Sequence, residues 1–295
     1  MTTINVAPLA DRGVVRVAGA DSAKLLQGLI TADMNRLEKQ PAIFGGLLTP
    51  QGKILFDFFV VRTGEGYLLE TSREKAADLV KRLTFYKLRA NATITDVSAD
   101  HSVAALWGGA APEVASSVIV YQDPRLAELG WRAIAPQSFD WSSIGSARIV
   151  EPEMYHAHRI AHGVPESGRD YAFGDTFPHD ALFDQLDGVS FEKGCYVGQE
   201  VVSRVQHRST ARKRVVPLDG SEPLQPGAEV KAGEAVIGSV GSVAGHRGLA
   251  LVRIDRVGEA LDKEQPITAG GVPVTVKLPS WVHFGIPTRE DKAKV

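Results

Sequence analysis

Cysteine is almost absent from this 295-residue sequence, in which Cys195 is the only one. One thiol cannot form an internal disulfide, and it cannot supply the four thiolates of a structural metal site. No run approaches the ~18 apolar residues of a membrane span, and the N-terminal stretch lacks the charged and apolar regions of a secretion signal. We therefore predict a protein of a reducing compartment, in the cytoplasm and without a membrane partner.

The sequence also lacks an excess of either charge. It has 33 Lys and Arg against 35 Asp and Glu, for a formal net charge of −2. This balance excludes a chain that coats nucleic acid or an anionic membrane over its whole surface. The length allows two or three domains, because single hydrophobic cores stop growing at about 250 residues.

Hydrophobic periodicity predicts mixed helices and strands in the N-terminal half. Val15 and Val17 alternate as in a strand, and residues 25–30 then place leucines at helical spacing. The stretch TPQGK at 49–53 predicts a hairpin turn between two strands. Residues 73–89 predict a further helix, and residues 110–146, rich in proline and small residues, predict loops.

The C-terminal part has a different residue pattern. From Arg212 onward, short β-prone runs alternate with glycines at strand-plus-turn spacing. This pattern predicts a separate all-β domain that resembles a barrel.

The single cysteine lies in a turn that is rich in glycine. Gly194 and Gly198 flank Cys195, Lys193 precedes it, and the valines that follow predict a helix beginning near Gly198. A thiol before a helix N-terminus and beside a lysine favours its thiolate, which is the nucleophilic and metal-ligating form. Cysteine is also among the most buried residue types. The residues alone therefore leave open both a reactive thiol and an inert core residue.

Residues 193–200 read KGCYVGQE. This block resembles the KGCYxGQE motif of the YgfZ family of folate-binding proteins, which are relatives of the aminomethyltransferase (T-protein) of the glycine cleavage system. The segments VAGADSAKLLQGLITADM, LLTPQGKILFDFFV and SRVQHRSTARKRVV also resemble the family's N-terminal segment, hairpin and passage into the C-terminal barrel. The resemblance therefore extends over nearly the whole chain.

The resemblance implies an α+β, three-lobed, aminomethyltransferase-like folate-binding fold with a C-terminal β-barrel. On this basis we assign residues 1–45 and 145–210 to a discontinuous folate-binding lobe, 46–144 to a ferredoxin-like lobe and 211–295 to the barrel. The implied cofactor is tetrahydrofolate or a related folate. We expect Asp57, Arg204 and four motif residues to bind it: Lys193, Tyr196, Gln199 and Glu200.

The resemblance further implies an accessory protein for the assembly or repair of iron–sulfur clusters. The motif cysteine is the functional residue of the family, and here it is Cys195. One thiolate supplies one ligand to a transient cluster shared with a partner, or forms a mixed disulfide. Expected partners are client enzymes and cluster-assembly proteins, with tRNA involved only indirectly through enzymes that methylthiolate it. A monomer is expected.

Asp57 supports an alternative function. The aminomethyltransferases carry two adjacent aspartates in this hairpin, whereas this sequence reads Phe56-Asp57. If the first aspartate is the catalytic one, Phe56 has replaced it and ordinary aminomethyl transfer is not expected. If the second is the catalytic one, Asp57 could still do the acid–base work of a tetrahydrofolate-dependent aminomethyl or methyl transferase. The other interpretation of Asp57 is a polar residue on the exposed face of a strand.

A local cluster of basic residues supports a third hypothesis, a plain RNA-binding module. It contains Arg204, His207, Arg208, Arg212, Lys213 and Arg214. Such a cluster suits the carboxylates of a folate tail or the phosphates of tRNA, and it is also typical of a solvated interdomain segment. Two further groups favour ordinary helix faces over metal sites: three histidines (His156, His158, His162) and three aspartates (Asp180, Asp184, Asp187).

Overall fold

The structure is a computed structural model that describes residues 3–208 and 211–288. Its strands, in chain order, are β1 (Ile4–Pro8), β2 (Arg12–Ala18), β3 (Ala42–Leu48), β4 (Ile54–Thr63), β5 (Gly66–Ser72), β6 (Thr93–Asp96), β7 (His101–Trp107), β8 (Ile119–Gln122), β9 (Trp131–Pro136), β10 (Ala147–Ile149), β11 (Lys213–Gly220), β12 (Glu229–Ala232), β13 (Ala235–Ala244), β14 (Arg247–Arg253), β15 (Ile267–Ala269) and β16 (Val272–Val276). The α-helices are α1 (Ser22–Leu29), α2 (Arg73–Lys87), α3 (Pro152–Ala161), α4 (Gln199–Arg208) and α5 (Ile254–Asp262).

The chain divides into two compact units. The first contains residues 1–155 and 186–199, and the second contains residues 156–185 and 200–295. Among the described residues, no helix is long and apolar enough to cross a membrane.

The first unit contains an antiparallel sheet of five strands in the order β3-β4-β5-β2-β6. Alternate residues of a strand point to opposite faces, so Phe56, Phe58 and Val60 of β4 share one face and enter a hydrophobic core with residues of α1 and α2. Helix α2 contributes Ala76, Leu79 and Leu83 to that core. These buried faces explain why the helices cover this side of the sheet.

A second sheet of the first unit has the strand order β10-β1-β7-β9-β8, with β1 and β10 parallel and the other neighbours antiparallel. A buried polar cluster links the two sheets. Glu70 of β5 is 0% exposed, and its carboxylate accepts hydrogen bonds from Arg12 Nε at 2.9 Å and Tyr121 Oη at 2.5 Å. Arg132 Nε donates to the same carboxylate at 2.9 Å, and its Nη2 donates to the other oxygen. A buried charge is tolerable only when paired in this way.

The second unit contains a closed antiparallel barrel in the order β11-β14-β13-β12-β15-β16. Its interior is aliphatic, with Val216, Val230 and Ala250 fully buried, and α5 contributes Val257 and Ala260. Closing the sheet leaves no open edge strand.

The predicted fold class is confirmed, because the chain combines mixed helices and sheets with a closed six-strand C-terminal barrel. Three local predictions are also confirmed. The strand and helix near Val15 are β2 and α1, the hairpin around 49–53 joins β3 and β4, and the helix over 73–89 is α2. The prediction of loops over 110–146 was wrong in part, since β8 lies there. Proline and small residues hid this short strand, which pairs with β9.

The predicted lobe boundaries at residues 45 and 144 stay a prediction, and strand pairing crosses the first of them. Strands β1 and β2 come from the first predicted segment, but β1 pairs with β7, and β2 pairs with β5 and β6, of the next. Sequence order cannot show this pairing, because β2 reaches its neighbours only through long-range hydrogen bonds.

Candidate functional site

The hairpin formed by β3 and β4 carries Asp57. In the ladder Asp57 lies opposite Gly46, and the turn closes through a hydrogen bond from Thr49 N to Lys53 O at 2.8 Å. Asp57 is only 6% exposed. The interpretation of Asp57 as a residue on an exposed strand face is therefore wrong.

Phe56 and Asp57, the two hairpin residues singled out by the resemblance, point to opposite faces of β4. Phe56 is 6% exposed and belongs to the hydrophobic core, whereas Asp57 lies on the other face, together with Phe59. Neighbouring strand residues always alternate in this way. A carboxylate at position 56 would therefore enter the core side, and the sequence keeps its acid on the face away from that core.

The turn that carries the cysteine, residues 190–198, is held to the segment after α1 by buried polar contacts. We call it the cysteine turn. Lys193 is 8% exposed, and its Nζ donates to Ile30 O at 2.8 Å and to Ala32 O at 2.9 Å. Ser190 N donates to Thr31 O at 2.9 Å. The beginning of the turn is therefore fixed by three consecutive residues, 30–32, which lie more than 150 residues away in the sequence.

Thr31 connects the cysteine turn to the hairpin. Its buried Oγ1 donates to Gly188 O at 2.6 Å and accepts a hydrogen bond from Gly46 N at 2.8 Å. Gly46 is the residue opposite Asp57 in the ladder. One hydroxyl group thus links the strand that faces Asp57 to the chain that enters the cysteine turn.

The end of the cysteine turn packs against the hairpin. Val197 contacts the hydrophobic core of the first sheet, and Gly198 adopts a positive φ of 82°. A Cβ at Gly198 would lie 2.5 Å from Thr49 O and 3.0 Å from the Cα of Gly52. Only glycine permits both this backbone conformation and this approach.

Cys195 is exposed between these two fixed ends. It precedes α4, which begins at Gln199, so the predicted position before a helix is confirmed. The interpretation as an inert core thiol is wrong, because the residue is at the surface. Within residues 3–208 and 211–288, no three His, Cys, Asp or Glu side chains are grouped to hold a metal ion. A cluster bound to Cys195 would therefore take its other ligands from another molecule.

Tyr196 has the one orphaned group of the cysteine turn. Its hydroxyl is buried and has no hydrogen-bond partner among the described residues, and burial raises the pKa of Tyr196 to about 12. An unpaired buried hydroxyl costs free energy unless a ligand satisfies it. Lys193 Nζ lies 5.4 Å from the Tyr196 ring centroid. In a fit test for a folate, Tyr196 offers a free polar atom, whereas the Lys193 ammonium already binds two backbone carbonyls.

The remaining predicted folate residues lie at the start of α4. Gln199 N donates to Tyr196 O at 3.3 Å, which joins the helix to the cysteine turn. Glu200 and Arg204 form an exposed ion pair with each other at 2.9 Å. Exposed pairs of this spacing contribute little stability and separate readily to meet a ligand. The assignment of these residues to a folate stays a prediction.

The basic cluster does not form one cationic surface. Arg214 is 5% exposed, and its Nη1 donates to Asp184 Oδ1 at 2.5 Å and to His179 O at 2.6 Å. The side chain of Arg208, and all of Ser209, lie outside the described residues. Arg214 is therefore removed from the predicted RNA-binding residues, because a buried guanidinium paired with a carboxylate does not neutralise phosphate.

The other candidate groups have structural partners. His158 and His162 pack ring against ring at 4.6 Å on and just after α3. Asp184 pairs with Arg214, and Asp187 pairs with Arg36 at 2.9 Å. The segment 175–187 consists of turns rather than the helix considered above. Burial raises the pKa of Asp180 to about 6.

Sequence reasoning missed Thr31 and the structural role of Lys193. The signal for both was present in the quoted segments, since Thr31 lies in LITADM and Lys193 in KGCYVGQE. Thr31 bonds Gly188 and Lys193 bonds Ile30, and each contact joins residues more than 150 positions apart in the sequence. No local periodicity predicts such a contact.

Comparison with known proteins supports this fold and identifies its relatives. Residues 5–149 match the GCVT N-terminal domain, and residues 212–284 match the CAF17 C-terminal beta-barrel domain. The crystal structure of glycine cleavage system aminomethyltransferase T from Bartonella henselae superposes with a TM-score of 0.76, over 95% of this chain and 86% of that one, at 15% identity. At this identity the likeness shows the fold.

Two curated relatives are iron–sulfur cluster assembly factors. The mitochondrial IBA57 of Homo sapiens is 30% identical over 92% of this chain and 84% of its own length. The mitochondrial IBA57 homologue of Mycosarcoma maydis is 34% identical over 74% of this chain, which spans only 57% of that relative. Both are named mitochondrial, so the predicted cytoplasmic location is wrong by this comparison.

The YgfZ resemblance is confirmed at a coarser level, as a relationship to aminomethyltransferase-like proteins with a C-terminal barrel. The order of the two matched domains and the similarity to human IBA57 indicate the same family. The chain belongs to the CAF17/IBA57 family.

Proposed function

We propose that this protein is an accessory factor for iron–sulfur cluster assembly that binds a folate and acts through Cys195. The names of its relatives support the role in cluster assembly. The aminomethyltransferase-like fold supports folate binding. The observation that carries the proposal is the exposed thiol between two fixed ends of the cysteine turn.

The cysteine turn suits brief contact with a partner. Its ends are fixed by Lys193 and Gly198, so an incoming group meets the thiol with little ordering cost. The chain supplies one thiolate, and a cluster delivered or received here completes its coordination with ligands from the partner. The cluster is therefore cargo, and clients that methylthiolate tRNA are one class of recipient.

One unpaired group in the cysteine turn supports the proposed folate binding. The unpaired Tyr196 hydroxyl would bond a polar group of the pterin or its tail, and Asp57 lies on the hairpin that packs against the same turn. When bound, a tetrahydrofolate would supply the chemistry of one-carbon transfer. The chain's own contribution would be to hold the ligand and to keep a carboxylate on the hairpin face away from the core.

Complementation tests the role of Cys195. In cells that lack the protein, Cys195→Ala is expected to abolish recovery of iron–sulfur enzyme activity and of tRNA methylthiolation, while Asp57→Asn has a milder effect. Glu192→Ala is the matched control, because Glu192 is also exposed in the cysteine turn. Equal rescue by wild type and Cys195→Ala would end the proposal.

The alternative function is a tetrahydrofolate-dependent aminomethyl or methyl transferase using Asp57. The buried position of Asp57 favours keeping this candidate. It predicts the reverse order of the two variants and folate-dependent turnover of an aminomethyl or N-methyl donor. Failure of Asp57→Asn to slow any such turnover removes it.

Folate binding is measured separately by calorimetry with tetrahydrofolate. Tyr196→Phe deletes only the unpaired hydroxyl, so the fold loses no hydrogen bond among its described residues. We expect about tenfold weaker folate binding, with a melting temperature of the ligand-free protein that is equal to or higher than that of wild type. Equal affinity of wild type and Tyr196→Phe would remove Tyr196 from the folate site.

A further inference from the structure

The two most exposed large hydrophobic side chains of the described residues lie close together in sequence. Leu88 is 85% exposed and Phe85 is 71% exposed. They stand at the C-terminal end of α2, whose last residue is Lys87. Burying a large apolar side chain is favourable, so leaving it in water forgoes that stabilisation. Two such groups kept in water at one helix end are typical of a binding surface.

The exposure of Phe85 and Leu88 is built into the local structure. The inward face of α2 is already complete, with Ala76, Leu79 and Leu83 buried. Leu88 also has a positive φ of 49°, a conformation that residues with a Cβ rarely adopt. The chain therefore holds a leucine outward at an unfavourable backbone geometry.

An open groove of about 370 Å³ lies beside this helix end. It is lined by Leu25, Gly28, Leu29 and Ala90, with Lys24 and Asp21 at its side. The loop that carries Ala90 is fixed to the start of α1, because Asn91 N donates to Asp21 Oδ2 at 2.7 Å and Asp21 N donates to Asn91 O at 3.0 Å. The groove is thus preformed, which reduces the entropy cost of binding.

The charged side chains of the segment that carries Phe85, Leu88 and Ala90 all have one sign, and the carboxylate that lines the groove, Asp21, accepts a hydrogen bond from Asn91 N. Residues 79–95 contain no acid and four cations: Lys81, Arg82, Lys87 and Arg89. Lys81 pairs with Asp78 at 3.1 Å. Among the described residues, no carboxylate pairs with the other three. In a chain of net charge −2, this is a local cationic rim around an apolar centre.

We infer that these residues bind a partner protein, through a segment whose apolar side chains enter the groove and whose carboxylates meet the rim. We call this the α2-end surface: Leu25, Leu29, Phe85, Leu88 and Ala90, with Lys24, Arg82, Lys87 and Arg89 as its rim. An apolar centre with a charged rim is the usual anatomy of a protein interface. Opposite charge on the partner provides specificity and fast association.

Other occupants fit less well. A two-fold contact between copies of this chain would bring the same cations together, and like charges repel. A flat lipid surface does not fill a concave groove. The α2-end surface contains no residue of the cysteine turn, so its test does not depend on the proposal for Cys195.

Photocrosslinking tests the inference in the full chain. Phe85 is replaced by p-benzoylphenylalanine in cells that express the protein, and a second chain carries the same replacement at Leu261. Leu261 is the matched control because it is 51% exposed on α5. The expected product joins position 85, and not position 261, to a protein segment that carries both apolar side chains and carboxylates. Products with lipid, nucleic acid or this chain itself, or no product above the control, overturn the inference.

Affinity measurements with the crosslinked partner, once purified, complete the test. Phe85→Ser with Leu88→Ser, and separately Arg82→Glu with Arg89→Glu, are each expected to weaken binding at least about tenfold. Leu261→Ser should leave the affinity unchanged, and all variants should keep the wild-type melting temperature, because the altered side chains are exposed. A crosslinked protein whose affinity is insensitive to both double variants also overturns the inference.

Discussion

Replacing Glu70 by glutamine is expected to destabilise the protein strongly. The Glu70 carboxylate is fully buried between Arg12 and Arg132 and accepts a hydrogen bond from Tyr121. Glutamine keeps the shape but removes the negative charge that faces both buried guanidinium groups, and the Asp123 carboxylate, 4.0 Å from Arg132 Nη1, is farther away. Removing one partner of a buried ion pair costs about 3–5 kcal/mol.

The pKa of Glu70 gives an independent magnitude. Burial alone would raise it, but the charges of Arg132 and Arg12, with hydrogen bonds from Arg132 and Tyr121, lower it to about 2, against 4.5 for an unperturbed carboxyl group. This difference corresponds to about 3 kcal/mol. Because the folded-state pKa is the lower one, this stabilisation is complete above about pH 4.5 and is lost as the pH falls towards 2. The two routes agree on the size of the effect.

The assay is urea unfolding of wild type and Glu70→Gln at pH 7 and at several lower pH values. At pH 7 the variant is expected to lose about 3–5 kcal/mol, and the difference between the proteins should shrink as the pH falls below 4.5. Glu65→Gln is the matched control, because Glu65 has an 84% exposed side chain and should change stability by no more than about 0.5 kcal/mol. A loss below about 1 kcal/mol, or a difference independent of pH, would refute the reasoning.

Two further predictions concern the cysteine turn. Gly198→Ala should lower the free energy of unfolding in urea by about 2 kcal/mol or more, because Gly198 has a positive φ and its added Cβ would lie 2.5 Å from Thr49 O. Gly194→Ala is the control and should change the free energy of unfolding by no more than about 0.5 kcal/mol, because its added Cβ would meet no atom within 4 Å. Equal losses for the two variants would contradict this account. Burial lowers the pKa of Lys193 to about 8 from 10.5, although the charge of Asp33 opposes it. The unfolded chain then binds more protons between pH 8 and 10.5, so stability should rise with pH in that window, and Lys193→Met should lack this rise. A parallel pH dependence of the two proteins would show that Lys193 is not the group responsible.

Local sequence patterns were sufficient for the individual elements around the site. Alternation predicted β2, the TPQGK turn predicted the hairpin, and the valines after Gly198 predicted α4. These predictions held because each depends on residues a few positions apart. Short strands with weak patterns, such as β8, were missed because their hydrogen-bond partners, not their own residues, make them strands.

By itself the sequence determined that one thiol lies in a glycine-flanked turn before a helix, that a barrel follows, and that the hairpin carries Phe56 beside Asp57. Only the tertiary structure decided that the thiol is exposed, that Lys193 serves two backbone carbonyls, and that Glu70 neutralises arginines from both sheets. The physical reason is range. Periodicity and turn chemistry act between neighbours along the chain, whereas exposure and charge pairing depend on residues that only folding brings together.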